Sequence, residues 1–187
     1  MGIYVIKMPP IRLGTNVIRL LTLAVLLCCW AETGAAPPPP GWRLENLQGL
    51  RRLEIPVSWQ RSESDYDPLR ATVFSDGVLM IKVARGKTQG PGPKTPKEYR
   101  AVYEVGSEFA SAGTLTVAGR PAERWRRTRE TRRKGRPAGE YIYEEMVFLT
   151  DREGFWALWF TSSSLVLRSE PRGLEVWQRF LESFEPL

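Results

Sequence analysis

Phe155-Trp-Ala-Leu-Trp-Phe-Thr161 is the stretch that decides the fold of this chain, because both of its alternating sets of positions are apolar. In an extended strand the odd-numbered residues point to one side and Trp156, Leu158 and Phe160 point to the other. A strand that is apolar on both sides needs cover on both faces. The sequence therefore predicts that this strand lies in the middle of a sheet.

The segments on either side of this strand supply a partner strand and a helix. Tyr141 to Leu149 is largely apolar on both sides, and the acidic turn Asp151-Arg152-Glu153-Gly154 favours an antiparallel hairpin between the two. Gly173 to Phe184 has apolar residues at helical spacing, which predicts an amphipathic helix on the sheet. The expected buried stripe is Leu174, Trp177, Leu181 and Phe184, widened by Phe180.

Upstream, short apolar runs predict further strands. Leu53 to Trp59 is typical of an edge strand broken by Pro56, and Ala71 to Phe74 joins Val78 to Ala84 through the turn Ser75-Asp76-Gly77. The polar residues from Arg61 to Pro68 are expected to form an exposed loop. Glu63, Asp65 and Asp67 in this loop lack the spacing of a calcium-binding loop.

The strand from Pro121 to Glu130 is unusual because arginines fall on both of its faces. Such a strand is expected at a sheet edge, where charge also discourages aggregation. Residues 120–136 contain nine basic residues against Glu123 and Glu130, a net charge of +7, whereas the rest of the domain is acidic. The positive charge is therefore concentrated in one hairpin.

The first residues have the pattern of a secretory signal. Lys7, Arg12 and Arg19 precede an apolar run from Leu20 to Trp30 that is too short for a permanent membrane anchor. Small residues follow, and cleavage is expected between Ala35 and Ala36. This interpretation assigns residues 1–35 to a signal peptide, 36–41 to a proline-rich linker and 42–187 to one domain in the periplasm or cell envelope.

A lipoprotein is the alternative interpretation of the same segment. Cys28 and Cys29 end the apolar run where a lipidated cysteine would sit, but Leu27 precedes the first and Cys28 the second, whereas a bacterial lipobox has Gly, Ala or Ser there. Attachment to the membrane is expected only with this lipidation. In either case the domain has no disulfide.

The chain contains no histidine, which excludes the commonest metal ligand and general base. The nucleophile pairs Ser/His and Cys/His are excluded as well. We therefore expect no metal, no cofactor and no catalysis. An enzyme that works with carboxylates, such as Asp65, Asp67, or Glu144 with Glu145, remains a less favoured hypothesis because the last two are more simply the polar positions of a strand.

Several phrases together resemble the PsbP/Mog-type fold, including the DcrB-like bacterial envelope proteins. They are Ile55-Pro56 with Trp59, the strand pair around Asp76-Gly77, Val117-Ala-Gly119-Arg-Pro121-Ala122, and the last helix ending Phe180-Leu-Glu-Ser183-Phe184. The resemblance covers residues 42–187. It implies an α+β fold, an antiparallel β-sheet flanked by helices as an α/β/α sandwich, in a family whose members mostly bind or assist larger assemblies.

Function is predicted from the basic hairpin. Clustered arginines favour carboxylate and phosphate partners, so the preferred hypothesis is a non-catalytic envelope domain that docks an acidic partner protein or an anionic surface. The expected contact residues are Arg124, Arg126, Arg127, Arg129, Arg132, Arg133, Lys134 and Arg136. The export signal argues against nucleic acid as the partner, although Trp125 and Tyr141 are of a type that stacks on bases.

The alternative hypothesis is a carrier of a small ligand or a metal ion. Its pocket would lie between sheet and helix and would be lined by Trp59, Tyr103 and Trp156.

Overall fold

Eleven strands and two helices occur in the part of the chain described by this computed structural model, residues 37–130, 141–163 and 172–187. In chain order they are β1 (Trp42–Leu44), β2 (Leu50–Arg52), β3 (Glu54–Pro56), β4 (Gln60–Ser64), β5 (Ala71–Ser75), β6 (Met80–Lys87), α1 (Pro96–Tyr103), β7 (Ala110–Val117), β8 (Arg120–Glu130), β9 (Tyr141–Thr150), β10 (Gly154–Ser163), α2 (Arg172–Ser183) and β11 (Glu185–Pro186). All of them belong to the compact unit Pro38–Leu187.

Seven of these strands form one antiparallel sheet with the spatial order β4-β5-β6-β10-β9-β8-β7. The apolar strand β10 is its middle strand, paired with β6 on one side and β9 on the other. Leu158 lies opposite Val83 of β6 and opposite Val147 of β9. The predicted central hairpin of β9 and β10 is confirmed.

Each face of the sheet carries its own apolar core, as the double alternation of β10 predicts. Trp156, Leu158 and Phe160 belong to one core, and Phe155, Ala157 and Trp159 belong to the other. Trp156 and Trp159 are 4% and 5% exposed. Both tryptophans are thus structural, and the two faces must be covered by separate elements.

One helix packs on each face. On the first, Trp177 of α2 stacks between Phe160 and Phe180 with ring centroids 5.6 and 5.4 Å apart. On the second, Tyr99 of α1 is buried against Phe148 and Phe155. We call these the α2 face and the α1 face of the sheet.

The predicted stripe of α2 is right except at its start. Trp177, Phe180, Leu181 and Phe184 are buried, whereas Leu174 is 43% exposed. At about 100° per residue, Leu174 lies roughly 70° from the centre of the buried stripe. It therefore reaches the margin of the core and not its interior.

Sheet outweighs helix in this architecture. The two helices have 8 and 12 residues, while the four strands β7 to β10 alone have 8 to 11 each. The expected α/β/α sandwich is thus replaced by a β-rich, open, antiparallel fold with one short helix per face. Among the described residues, neither helix is long and apolar enough to cross a membrane.

The edges of the sheet differ from the prediction. β8 is not an edge strand, because β7 pairs along its outer side. The opposite edge is β4, within the segment expected to be a loop, and its residues are mostly exposed. Leu53 to Trp59 yields only the short strand β3, which pairs with β1 in a separate two-stranded sheet. The exposed polar strand β4 could not be predicted, because its sequence has no alternation of apolar and polar residues.

The turn between β9 and β10 is fixed by its acidic first residue. Asp151 Oδ1 accepts hydrogen bonds from the backbone N–H groups of Glu153 at 2.9 Å and Gly154 at 3.0 Å. Gly154 is required for steric reasons, because a Cβ atom there would lie 2.0 Å from the carbonyl oxygen of Gly86. The strand pair β6–β10 therefore closes tightly beside this turn.

Candidate anion-binding surface

The structure places half of the predicted contact residues. Arg124, Arg126, Arg127 and Arg129 lie on β8, next to β9. Other residues of the prediction lie outside the described part of the chain: Arg132, Arg133, Lys134, Arg136, Cys28 and Cys29. The description of the basic hairpin therefore rests on its β8 arm.

On the α2 face, two arginines converge on Glu145. Arg124 binds the carboxylate through two parallel hydrogen bonds, Nε to Oε1 at 2.8 Å and Nη2 to Oε2 at 2.9 Å, and Arg126 donates from Nε to Oε2 at 2.8 Å. The Tyr143 hydroxyl and the Trp177 indole nitrogen also donate to it, at 2.6 and 2.8 Å. Glu145 is fully buried, and its charge is satisfied by these groups.

On the α1 face, the same arrangement is built around Glu144. Arg127 and Arg129 donate from their Nε atoms to Oε2 at 2.5 and 2.8 Å. Arg127 also donates from Nη1 to the carbonyl oxygens of Tyr103 at 2.6 Å and Ser107 at 2.8 Å, and its guanidinium lies 4.1 Å from the ring centroid of Phe109. Arg127 is therefore buried and ties β8 to the segment that follows α1.

We call these six residues the arginine–glutamate ladder: Arg124, Arg126 and Glu145 on one face, and Arg127, Arg129 and Glu144 on the other. Each buried carboxylate faces two guanidinium groups, so the ladder keeps a net charge of +2. The side chains of Arg126 and Arg129 are 41% and 44% exposed. The excess positive charge is therefore at the surface, where a negatively charged partner can reach it.

The two glutamates do not form a pair of catalytic acids. Glu144 and Glu145 are adjacent in β9, so their side chains lie on opposite faces of the sheet, as the strand alternation predicts. Each carboxylate is held by its own two arginines. General acid/base chemistry by two carboxylates requires both of them on the same substrate, and this geometry does not provide that.

Asp67 is not in an exposed loop, contrary to the prediction. Its Oδ2 atom accepts hydrogen bonds from the hydroxyls of Tyr99 and Tyr103, both at 2.7 Å, and from Lys82 Nζ at 3.2 Å. Its other oxygen accepts from the backbone N–H of Leu69 at 2.9 Å. These contacts attach the segment between β4 and β5 to α1. We call Asp67, Lys82, Tyr99 and Tyr103 the Asp67 cluster.

Burial changes the acidity of the cluster's other members. It lowers the pKa of Lys82, although the neighbouring Asp67 carboxylate acts in the opposite direction. Burial and the hydrogen bonds to Asp67 raise the pKa of Tyr99 and of Tyr103. The ammonium of Lys82 also lies 4.2 Å from the ring centroid of Trp159. Asp67 and Lys82 thus form a buried charge pair, and the hydrogen bonds of Asp67 are made to neighbouring groups of the protein, as in a structural network.

The pocket expected for a carrier is not formed by its predicted residues. Trp59 and Trp156 belong to the core of the α2 face, whereas Tyr103 packs against the core of the α1 face. The sheet itself separates them. Within the described ranges, no group of three or more His, Cys, Asp or Glu side chains is arranged to hold a metal ion.

Comparison with known proteins gives little beyond this geometry. No family model matches the sequence, and no curated protein matches it. Solved structures do match in shape, among them the crystal structure of LpqN, involved in cell envelope biogenesis of Mycobacterium tuberculosis. That protein is 13% identical, the match covers 80% of this chain and 87% of that chain, and the TM-score is 0.38. A likeness of this size carries no argument about function.

Proposed function

We propose that this chain is a non-catalytic, exported domain of the cell envelope that docks an acidic partner protein through the arginine–glutamate ladder. The observation that carries the proposal is the charge ratio within the ladder, two guanidinium groups for each buried carboxylate. The glutamates fix the arginines in place, and within the ladder each face keeps one positive charge in excess of its carboxylate. Pre-organised arginines of this kind lose little freedom when they bind a carboxylate.

The placement of the arginines favours a protein over a flat membrane as the partner. Arg126 emerges on the α2 face and Arg129 on the α1 face. A planar lipid surface that approached the edge would meet β7 first, and β7 carries no charged residue. An irregular acidic surface can reach both faces around this edge. Arg127 is buried, so the proposal relies on Arg124, Arg126 and Arg129.

The envelope location rests on the signal-like sequence of residues 1–35, with residues 36–41 as a linker. The resemblance of residues 42–187 to the PsbP/Mog-type fold is part of the same proposal and agrees with an accessory role. Mass spectrometry of the native protein tests the location. A chain that begins at Ala36 supports cleavage, a lipid-modified Cys28 or Cys29 supports anchoring, and a chain retaining residues 1–35 in the cytosol contradicts export.

Docking is tested with a fluorescent oligoglutamate peptide and the purified protein, by anisotropy at increasing salt. Arg126→Gln/Arg129→Gln leaves one arginine on each glutamate, so we expect the fold to be retained. We expect this variant to bind about tenfold more weakly and with a shallower salt dependence. The matched control is Arg70→Gln/Lys97→Gln, which removes the same charge from two exposed positions without side-chain partners in the described ranges.

Two further experiments test the remaining basic residues of the hairpin and a lipid surface as the alternative partner. Replacement of Arg132, Arg133, Lys134 and Arg136 by Ser tests the part of the hairpin outside the described residues. Vesicles of phosphatidylglycerol test a lipid surface as the partner. Equal peptide binding by the wild type and Arg126→Gln/Arg129→Gln contradicts the proposal, and binding to vesicles without binding to the peptide replaces the protein partner with a membrane.

A further inference from the structure

A second group of arginines lies at the other end of β8, around the turn between β9 and β10. It lines a cleft of about 530 Å³, within the range typical of small-molecule sites. Arg85, Arg120 and Arg152 contribute to its wall together with Trp156. Arg120 is four residues from Arg124, or roughly 14 Å along the strand. The turn cleft, as we call it, is therefore separate from the ladder.

One of the three arginines builds the cleft and does not carry free charge. Arg85 binds Asp151 through two parallel hydrogen bonds, Nη1 to Oδ2 at 2.8 Å and Nη2 to Oδ1 at 2.9 Å. Its guanidinium lies 5.0 Å from the ring centroid of Trp156. The pKa of Asp151 is below its ordinary value because, although burial acts to raise it, the hydrogen bonds from Arg85 outweigh that effect. Arg85 thus holds both the turn and the indole ring.

The other two arginines have no acidic partner. Among the described residues, the side chains of Arg120 and Arg152 make no hydrogen bond or ion pair, unlike those of Arg124, Arg126, Arg127 and Arg129, which are all paired with glutamate. The Nη2 atom of Arg120 is enclosed by protein and still lacks an acceptor. Since this atom is out of reach of solvent, a ligand in the cleft would be held by the remaining N–H groups of the Arg120 guanidinium.

The charge of the cleft favours an anion. Asp151 is neutralised by Arg85, and Glu153 is 87% exposed with its carboxylate 3.8 Å from Arg85. The charged side chains that line the cleft are three arginines, Asp151 and Glu153, so their net charge is +1; the backbone carboxyl group of Leu187 is not part of this count. Two guanidinium groups without side-chain partners that line the same cleft are suited to a carboxylate or a phosphate, which arginine binds through paired hydrogen bonds.

The cleft also has an apolar wall, which sets the size of the ligand. Gly49 lies against the indole ring of Trp156, where an added Cβ would be 3.2 Å from the ring, and Pro186 lines the same space. A bare phosphate ion would fill only a small part of about 530 Å³. Trp156 is 4% exposed and presents only a small part of its ring to the cleft, so an apolar body on the anion would contact that part together with Pro186 and Leu187.

We infer that the turn cleft binds a small organic anion, in which a phosphate or carboxylate contacts Arg120 and Arg152 and an apolar body lies against the wall lined by Trp156, Pro186 and Leu187. This site goes beyond the proposed docking of a protein at the ladder and uses different side chains. One chain can therefore hold a small ligand and a macromolecular partner at the same time.

The test is a titration of the purified protein with phenyl phosphate, benzoate and inorganic phosphate, followed by calorimetry and by amide NMR signals of residues 151–154. We expect one equivalent of phenyl phosphate or benzoate to saturate the site at millimolar concentration or below. Inorganic phosphate is expected to bind more weakly because it lacks the apolar body. The two aryl anions show which head group is preferred.

Variants decide whether the two arginines are responsible. Arg120→Gln and Arg152→Gln are each expected to weaken phenyl phosphate about tenfold, while Arg70→Gln, at an exposed position outside the cleft, binds as the wild type does. Arg152 is exposed, so Arg152→Gln is decisive even if Arg120→Gln fails to fold. No saturable binding, or equal binding by wild type and Arg152→Gln, overturns the inference.

The proposed functions of the ladder and of the turn cleft can be tested independently of each other. If phenyl phosphate binds and does not displace the oligoglutamate peptide, the two sites are separate. If phenyl phosphate displaces the peptide competitively, the cleft is part of the docking surface and the inference of a distinct site is wrong.

Discussion

Glu145 in β9 and Trp177 in α2 are joined by a hydrogen bond of 2.8 Å from the indole nitrogen to the carboxylate. The same carboxylate is held by Arg124 and Arg126 of β8. One buried charge thus connects the arginine-bearing strand to the helix that covers this face of the sheet. The proposed docking surface and the core therefore share one carboxylate.

Loss of this charge is expected to destabilise the fold strongly. Glu145→Gln keeps the size of the side chain but leaves Arg124 and Arg126 without their counter-charge in a partly buried setting. We expect the free energy of unfolding to fall by about 3 kcal/mol, at the lower end for a broken buried ion pair because both arginines remain partly exposed. Urea unfolding at neutral pH measures this.

Glu175→Gln is the control, because Glu175 is an exposed residue of α2. It is expected to change stability by less than about 0.5 kcal/mol. Equal stabilities for Glu145→Gln and the wild type would mean that the ladder is not a structural element.

The elements that sequence alone predicts are those whose apolar pattern is local. Strand β10 has apolar side chains on both sides, Trp156 and Phe160 on one and Phe155 and Trp159 on the other. This pattern predicts a strand covered on both faces, and the structure confirms the prediction. The helical spacing of Trp177 and its neighbours predicts α2 for the same reason. In both cases the signal lies within about a dozen consecutive residues.

The candidate sites are less predictable because they join residues far apart in the chain. Lys82 is the one signal available in advance: a charged residue inside the apolar run of β6 requires a partner. Nothing local identifies that partner as Asp67, and nothing local pairs Arg120 or Arg152 with the space beside Trp156. The sequence does not predict β4, because an exposed polar strand has no periodic apolar positions.

The Asp67 cluster is expected to act as a coupled unit. Asp67→Asn leaves the buried ammonium of Lys82 without a counter-charge, and Lys82→Met leaves the buried carboxylate of Asp67 without one, so each single variant should lose about 3 kcal/mol of stability. The double variant Asp67→Asn/Lys82→Met removes both charges and should recover much of that loss. A double-mutant cycle from urea unfolding measures the coupling. Additive losses would show that the pair does not interact.

Acid sensitivity is expected from Glu54, which is buried and receives hydrogen bonds from Arg52 and Arg179. Burial acts to raise its pKa, but the two arginines outweigh burial and hold the pKa below the ordinary value of 4.5. Since the pKa is lower in the folded chain than in the unfolded chain, this carboxylate contributes stability that is fully present above about pH 4.5. The contribution is lost as the pH falls through the folded pKa.

Urea unfolding between pH 7 and pH 3 tests this for wild type and Glu54→Gln. The variant is expected to be less stable at pH 7 and to lose less stability on acidification than the wild type. Two curves that run parallel over the whole range would show that Glu54 does not contribute to acid sensitivity.

The turn of the central hairpin gives the last prediction. In Gly154→Ala the new methyl group would lie 2.0 Å from the carbonyl oxygen of Gly86 and 2.8 Å from the Cα of Lys87, so the pairing of β6 with β10 must shift. We expect a loss of about 3 kcal/mol in the free energy of unfolding, together with displaced amide signals for Arg85 and Asp151. Gly90→Ala is the matched control, because Gly90 also has a positive φ but nothing within 4 Å of an added Cβ. That variant should lose only about 1 kcal/mol through backbone strain. Since Arg85 and Asp151 form one wall of the turn cleft, Gly154→Ala should also weaken phenyl phosphate binding, whereas Gly90→Ala should leave that binding unchanged. Equal stabilities for the two variants would show that the close approach of β6 to the turn is absent in solution.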